Sequence, residues 1–405
     1  MTISQKHKNL LNLTILITGL GYFVDSFDAF LLNVIRTPSL KEMGFSGDTL
    51  THAGVLILNW QVTGTLFGGI FWGTLGDKLG RKRALLGSIL MYSLGQFANA
   101  FVHSVPVYAA VRFVVGFGIA GEVGLGATLV GEVVRTSKRT YSLACFTAIG
   151  LLGVVSASLS IELVSWRITC LLGGAGGLVL LFLRHRLFES PLFDALAIEK
   201  ERRGRFWQIL LYRTLLRKWL CCIFILAPNF FITGFLLTLA PEFAKAAGIA
   251  MPIKANIALA LYFTFAVAGD FMSAYLSERW RSRRRVLFIF MSANTALALV
   301  YLFLTPHEPQ FFYVLCAIFG FFNLWAISTT VAIEQMKTGL RATTTTSSMN
   351  FARACLVLIN LGFIALKPHG TAEAALMVGA LFFTMGFAAI YYLDETYGRP
   401  LSDTE

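Results

Sequence analysis

The chain has 405 residues, 56% of them hydrophobic and 14% charged, and a formal net charge of +12. Soluble domains carry about 25% charged residues, so this balance excludes a water-soluble protein. The apolar residues form long continuous runs instead of short alternating ones, which excludes a membrane β-barrel and predicts an all-α integral membrane protein.

Twelve transmembrane helices are expected. In chain order they lie near residues 13–35, 52–75, 84–103, 106–132, 141–162 and 167–184, then 219–242, 254–277, 286–305, 311–333, 343–366 and 371–393. The first is too long for a signal-peptide core and lacks a cleavage site of small residues, so it reads as retained. The 34 Lys and Arg residues are spread unevenly. Arg36, Lys41, Arg167, Lys245, Lys254 and Lys367 fall on one side, and Arg112 and Arg353 fall inside spans. All the others lie on the opposite side, most densely in the middle connection that Arg184 and Arg186 open. Basic connections stay in the cytoplasm, which places both termini there, in a bacterial inner membrane. The net charge is thus a topology signal with some attraction to anionic lipid of the bilayer, and the basic run from Arg281 to Arg285 implies no nucleic-acid partner.

A polar segment recurs. Gly73-Thr74-Leu75-Gly76-Asp77-Lys78-Leu79-Gly80-Arg81-Lys82-Arg83 follows the second span, and Ser277-Glu278-Arg279-Trp280-Arg281-Ser282-Arg283-Arg284-Arg285 follows the eighth. Glu132 precedes Arg139 by seven residues, as Glu334 precedes Arg341. The pairs Asp77/Glu278, Glu132/Glu334 and Glu189/Glu395 are separated by 201, 202 and 206 residues. One offset for three acidic features predicts a duplication. Residues 1–184 and 219–405 would be pseudo-symmetric six-helix bundles, joined by a cytoplasmic linker over 185–218 with a surface helix from Ala195 to Arg205. A cytoplasmic gate is expected in two networks, Asp77, Arg81, Glu132 and Arg139 in one, Glu278, Arg284, Glu334 and Arg341 in the other. Ser282 stands where the first segment has Arg81. Exposed pairs are worth roughly 0–1 kcal/mol each. Topology alone would need the bases and not these acids.

These residues resemble a known family. The Gly73–Arg83 loop resembles the signature between helices two and three of the major facilitator superfamily, and Arg112-Phe113-x-x-Gly116-x-Gly118-x-x-Gly121-Glu122 resembles its fourth-helix motif. Glu189-Ser190-Pro191 and Glu395-Thr396-x-Gly398 resemble the ends of the two halves in its sugar-porter-like and metabolite:proton symporter branches. The resemblance spans the chain and implies the major facilitator fold, a secondary transporter, a first-helix acid for proton coupling and a monomer. Departures are Glu278 in place of aspartate, Phe188 in place of proline and Leu192 where arginine is frequent. Gly150 and Gly153 lack the following proline of drug:proton antiporters, which favours uptake by symport over efflux.

Charges within spans are costly and mark function. Asp25 and Asp28, three apart, share one face of the first span, read as the cavity side. Two acids so placed suit proton coupling. Arg112 is their natural counter-ion, unless it forms a fixed structural pair, and Glu122 falls almost three turns further on nearly the same face. Arg353 has no acidic neighbour in sequence; its planar donor fork would bind an anionic substrate, unless Asp270 neutralises it. Gln61, Asn59, Trp60, Asn229, Asn323, Trp325 and Asn350 supply a polar and aromatic lining for a small molecule, although each alone is more often an interhelical contact. Pairs of glycines, Gly64/Gly68, Gly69/Gly73 and Gly116/Gly121, are expected to allow close packing. The six cysteines fit neither a metal site nor a disulfide framework.

No nucleophile elbow, phosphate loop or metal motif occurs, so neither an enzyme nor a cofactor is expected. The leading expectation is proton-coupled symport of a small organic, anionic metabolite by alternating access. The alternative is a proton-coupled exporter of a siderophore-like or drug-like organic acid.

Overall fold

The computed structural model describes residues 3–134, 136–184, 189–194, 203–249, 253–303 and 308–401, and all its regular structure is helical. Twelve helices correspond to the twelve expected spans. They are α1 (Ile3–Glu42), α2 (Gly47–Leu79), α3 (Arg81–Asn99), α4 (Val105–Val133), α5 (Arg139–Leu163) and α6 (Trp166–Arg184). Then come α7 (Arg213–Phe230), α8 (Ala255–Trp280), α9 (Arg283–Phe303), α10 (Pro309–Glu334, with a break), α11 (Thr338–Leu366) and α12 (Thr371–Tyr392). Among the described residues eleven are long and apolar enough to cross a membrane; α3, 19 residues long, falls short because it opens on Arg81, Lys82 and Arg83 and carries Gln96 and Asn99 near its other end. Short helices at Pro191–Asp194 and Phe206–Leu211 lie in the linker. The expected surface helix from Ala195 falls largely outside the described residues.

Small residues set the helix spacing. A Cβ on Gly64 or Gly68 of α2 would strike the backbone of Phe113 or Phe117 on α4, and one on Gly116 would strike Gln61 of α2. Gly69 and Gly73 act across the chain's two halves, against Asn350 and Thr343 of α11. The second half departs from regular helix twice. Pro228 removes an internal donor from α7, and the helix continues as a wider π-type turn over Phe231–Leu236. α10 ends its first stretch at Phe321 and resumes at Trp325.

The helices α2 and α11 show how the halves meet. Gly73 lies against Thr343 at the basic end. About five turns away on the same faces, Val55 is 47% exposed and Leu361 58% exposed. The tight α2–α11 approach is thus seen at the basic end, while farther out Phe30 of α1 meets Phe263 of α8 with ring centroids 5.1 Å apart.

Candidate functional site

The repeated polar segments form the closed end. α2 stops at Leu79 and α3 restarts at Arg81 through Gly80, at φ 104°. α8 stops at Trp280 and α9 restarts at Arg283, through Arg281 at φ 51° and Ser282. The second loop is one residue longer, so the counterpart of Arg81 is Arg283, not Ser282. Arg284 is turned away from the expected network. Its guanidinium donates to the carbonyls of Ile390 and Tyr391 at 3.0 and 2.9 Å.

The ion pairs cross between the halves. Arg81 holds Glu132 through Nε at 3.0 Å and Nη2 at 2.9 Å, and Arg341 of α11 donates to the same carboxylate at 2.7 Å. In the second copy Arg283 lies 3.4 Å from Glu334, and Arg139 of α5 donates to Glu334 at 2.7 Å. Arg139 and Arg341 were each expected beside the acid of their own half. They reach the opposite acid because each is braced on a carbonyl near its own, Gly131 for Arg139 and Ile333 for Arg341. The pairs are buried, not exposed, with every partner at most 2% accessible. Asp77 adds a third crossing, accepting from the Thr343 N–H at 2.8 Å, its hydroxyl at 2.7 Å and the Ala342 N–H at 3.2 Å. Glu278 stays in its own half, with Arg283 at 3.0 Å and the Tyr397 hydroxyl at 3.1 Å.

Glu189 and Glu395 cap the restarted helices. Glu189 accepts from the N–H groups of Arg81 and Lys82, and Glu395 from those of Arg283 and Arg284. A carboxylate there meets the positive end of the helix dipole. Burial opposes the charge on both. At Glu189 burial prevails over the backbone N–H bonds and raises the carboxyl above its ordinary value. At Glu395 the Ser282 hydroxyl and the backbone N–H groups outweigh burial and lower it.

A second set of charges lies inside the first six helices. Asp25 is fully buried, and neither of its oxygens has a hydrogen-bond partner among the described residues. The charges that act on it are Arg353 of α11, then Glu122, Asp28 and Arg184. Asp28 accepts from Gln96 of α3 at 2.7 Å and packs against Gly173 of α6. It thus points among the helices of the first half and not into the cleft expected for it, because α3 and α6 pack over that part of α1. Arg112 acts on Asp28 without closing an ion pair, and its three guanidinium nitrogens have no hydrogen-bond partner among the described residues. Glu122 is taken by Arg184 at 2.7 Å and by the Ser88 hydroxyl at 3.3 Å. Arg184 lies against Gly21 of α1 and is inaccessible. Counting it with the basic linker was therefore wrong: the glycine leaves room for its guanidinium inside the first six helices.

In the second half, Asp270 of α8 does not pair with Arg353. Its Oδ1 accepts from the Asn323 amide at 3.0 Å and the Ala326 N–H at 3.1 Å, where α10 resumes. Its Oδ2 accepts from the Thr147 hydroxyl of α5 at 2.7 Å. The Tyr262 hydroxyl lies 2.9 Å from the amide oxygen of Asn229 and 3.0 Å from that of Asn323.

This arrangement can be set beside known proteins. The family profile of the Major Facilitator Superfamily matches residues 18–359. The chain belongs to the major facilitator superfamily. It is 26% identical over 350 residues to a Bacillus subtilis protein provisionally named the niacin/nicotinamide transporter NiaP, covering 83% of this chain and 84% of that one. It is 25% identical over 401 residues to a Haemophilus influenzae protein provisionally named a metabolite transport protein, covering 95% and 96%. Among solved structures, the proton:xylose symporter XylE superposes with a TM-score of 0.78 at 13% identity, covering 98% of this chain and 99% of that one. FucP in the outward conformation superposes at 0.71 with 16% identity, covering 94% and 98%. These likenesses show the major facilitator fold, and the relatives identify a transporter, not an enzyme.

Within this superfamily fold the expected lining residues separate. Trp325 is buried against Phe230, with ring centroids 5.8 Å apart, and its indole N–H has no partner among the described residues. Arg353 is half-buried. Gln61 reaches the Ala29 carbonyl at 3.4 Å and keeps its amide oxygen unpartnered. Asn350 is an interhelical tie, donating to the carbonyls of Ala120 and Thr346. Asn59 is exposed beside Val55, and Trp60 is 45% exposed against Phe113 on a face shared with Phe67 and Phe71, which removes it from the interior. Sequence reading missed Arg184, Arg283 and Thr147. The signals were faint: Gly21 opposite a helix-terminal arginine, a loop longer by one residue, and a threonine among apolar neighbours.

Proposed function

We propose that this chain is a proton-coupled symporter of a small organic anion in a bacterial inner membrane, working as a monomer with both termini in the cytoplasm. Two six-helix bundles, residues 1–184 and 219–405, rock about the cleft, and the crossed ion pairs are the cytoplasmic gate. The observation that carries this reading is the unclosed set Asp25, Asp28 and Arg112. A carboxylate desolvated without a partner is costly, and a proton removes that cost. Arg112 is freed or held according to whether Asp28 carries charge. Asp25 feels Arg353 across the interface, so protonation in one bundle is felt by the other.

Arg353 and Trp325 suit a planar carboxylate, one through its donor fork and the other through its ring face and free N–H. The name of the Bacillus relative makes nicotinate the first compound to test. The decisive experiment is uptake into proteoliposomes with and without an inward proton gradient, over a panel of nicotinate, nicotinamide, sugars and amino acids. Gradient-driven accumulation of a carboxylate supports the reading, and expulsion against the same gradient would make the chain an exporter. Asp28→Asn should abolish uphill accumulation while counterflow exchange persists. Normal accumulation in that variant would remove Asp28 from the coupling role. Arg353→Lys should weaken nicotinate by about tenfold or more and nicotinamide little, since a lysine cannot grip a carboxylate through two parallel bonds.

A further inference from the structure

We infer that Thr147 and Asp270 form a releasable latch between the bundles, at mid-depth in the membrane and separate from the gate. This rests on the alternating-access reading above. Asp270 sits ten residues inside the basic end of α8, and Thr147 eight residues inside that of α5. Their 2.7 Å bond joins the first half to the second. The contact is closely packed, with Ala144, Ala274 and Ala326 forming a small apolar cluster beside it.

Both partners have somewhere else to go. The Thr147 hydroxyl lies 3.0 Å from the Ala144 carbonyl of its own helix, so its single proton has a second acceptor when α8 moves away. Asp270 keeps the Asn323 amide and the Ala326 N–H on its other oxygen. Those two donors belong to the resumed start of α10, whose N-terminal dipole favours the carboxylate. Parting the bundles therefore costs Oδ2 one bond but leaves the Thr147 hydroxyl and the Asp270 carboxylate each with a partner, so the penalty for an orphaned donor does not arise. At the gate the bonds that part are ion pairs: Glu132 loses its 2.7 Å bond from Arg341 and keeps Arg81. A tie with fallbacks on both sides holds one orientation without raising a large barrier to the other. It assigns the α10 break a purpose as well, since only a helix that restarts at this depth offers its free N–H groups to Asp270.

Thr147 is thus a positioning residue for the orientation equilibrium. The test uses the full-length protein with its six cysteines replaced and spin labels at Lys138→Cys and Lys337→Cys, both exposed at the gate end. Pulsed distance measurements report the joined and parted populations, with nicotinate as the probe of switching. Thr147→Val should shift the populations about tenfold toward the parted form, the scale of a lost charge-assisted bond. Thr147→Ala, which removes the hydroxyl without the added methyl bulk, should do the same. Thr147→Ser should restore the parent distribution. Unchanged populations in both hydroxyl-free variants, or an equal shift in Thr147→Ser, would overturn the latch. A parent protein with one distance under all conditions would overturn the rocking reading and the latch with it.

Discussion

At the basic end the two halves mirror each other; deeper along the same helices they do not. Glu132 and Glu334 sit in matching cages, each held by the arginine that opens the preceding helix and by one from the opposite half. Deeper in, the first half keeps Asp25, Asp28, Glu122, Arg112 and Arg184. The second half keeps Asp270 among neutral donors, with two irregular helices where the first half has continuous ones. The paired acids and arginines at the basic end are alike in both halves. The interiors were free to diverge, one toward charge and the other toward backbone irregularity. That division fits proton handling in the first bundle and solute fitting in the second.

Four tests bear on this contrast. The largest effect is expected in the charged interior. Glu122→Gln leaves Arg184 buried and uncompensated, and should lower stability in detergent by about 3–5 kcal/mol. Adding Arg184→Met should recover much of that loss; full additivity of the two would mean that the pair is not coupled. The gate should respond alike in both halves. Glu132→Gln and Glu334→Gln each deprive two arginines of a charged acceptor, so thermal unfolding should report similar losses of about 2–4 kcal/mol for each. A loss confined to one of them would break the mirror symmetry.

The helix caps should separate the halves by pH. Glu395 is held below its ordinary value, so its contribution is present above about pH 4.3 and fades as pH falls through its lower folded value. The melting difference between the parent and Glu395→Gln should therefore shrink on acidification. Glu189 is raised, so its effect has the opposite sign, and stability falls as pH rises from the ordinary glutamate value through the folded one. Smallest of all is Arg281→Gly. Arg281 occupies a left-handed conformation at φ 51° where the first half uses Gly80. The exchange should gain roughly 0.5–1 kcal/mol by removing that strain.

Much of this could be read from the chain alone. The number of helices followed from the apolar runs, and the gathering of Asp77, Glu132 and Glu334 at the basic end agrees with their place in the repeat. The partners did not. Which half supplies Arg139's acid depends on how two short turns project over an interface, and no local spacing encodes that. Ser282 looked like the counterpart of Arg81, and Arg284 stood in the network in place of Arg283, because an insertion of one residue in a loop is invisible without the helix ends. Arg184 looked like a topology signal because a terminal arginine beside a basic linker usually is one; its burial depends on a bare glycine on a distant helix. Asp270 was expected to seek a cation, yet the backbone N–H freed by the α10 break supplies what a cation would have.

The crossed wiring of the gate bears on how the protein is made. Glu132 and Arg341 are 209 residues apart, and Arg139 and Glu334 are 195 apart. The ribosome therefore delivers one member of each couple well before its mate exists. A nascent chain halted before α10 holds Glu132 on Arg81 alone and lacks the acid that Arg139 pairs with in the whole chain. The crossed pairs at that end therefore wait on translation of the second half.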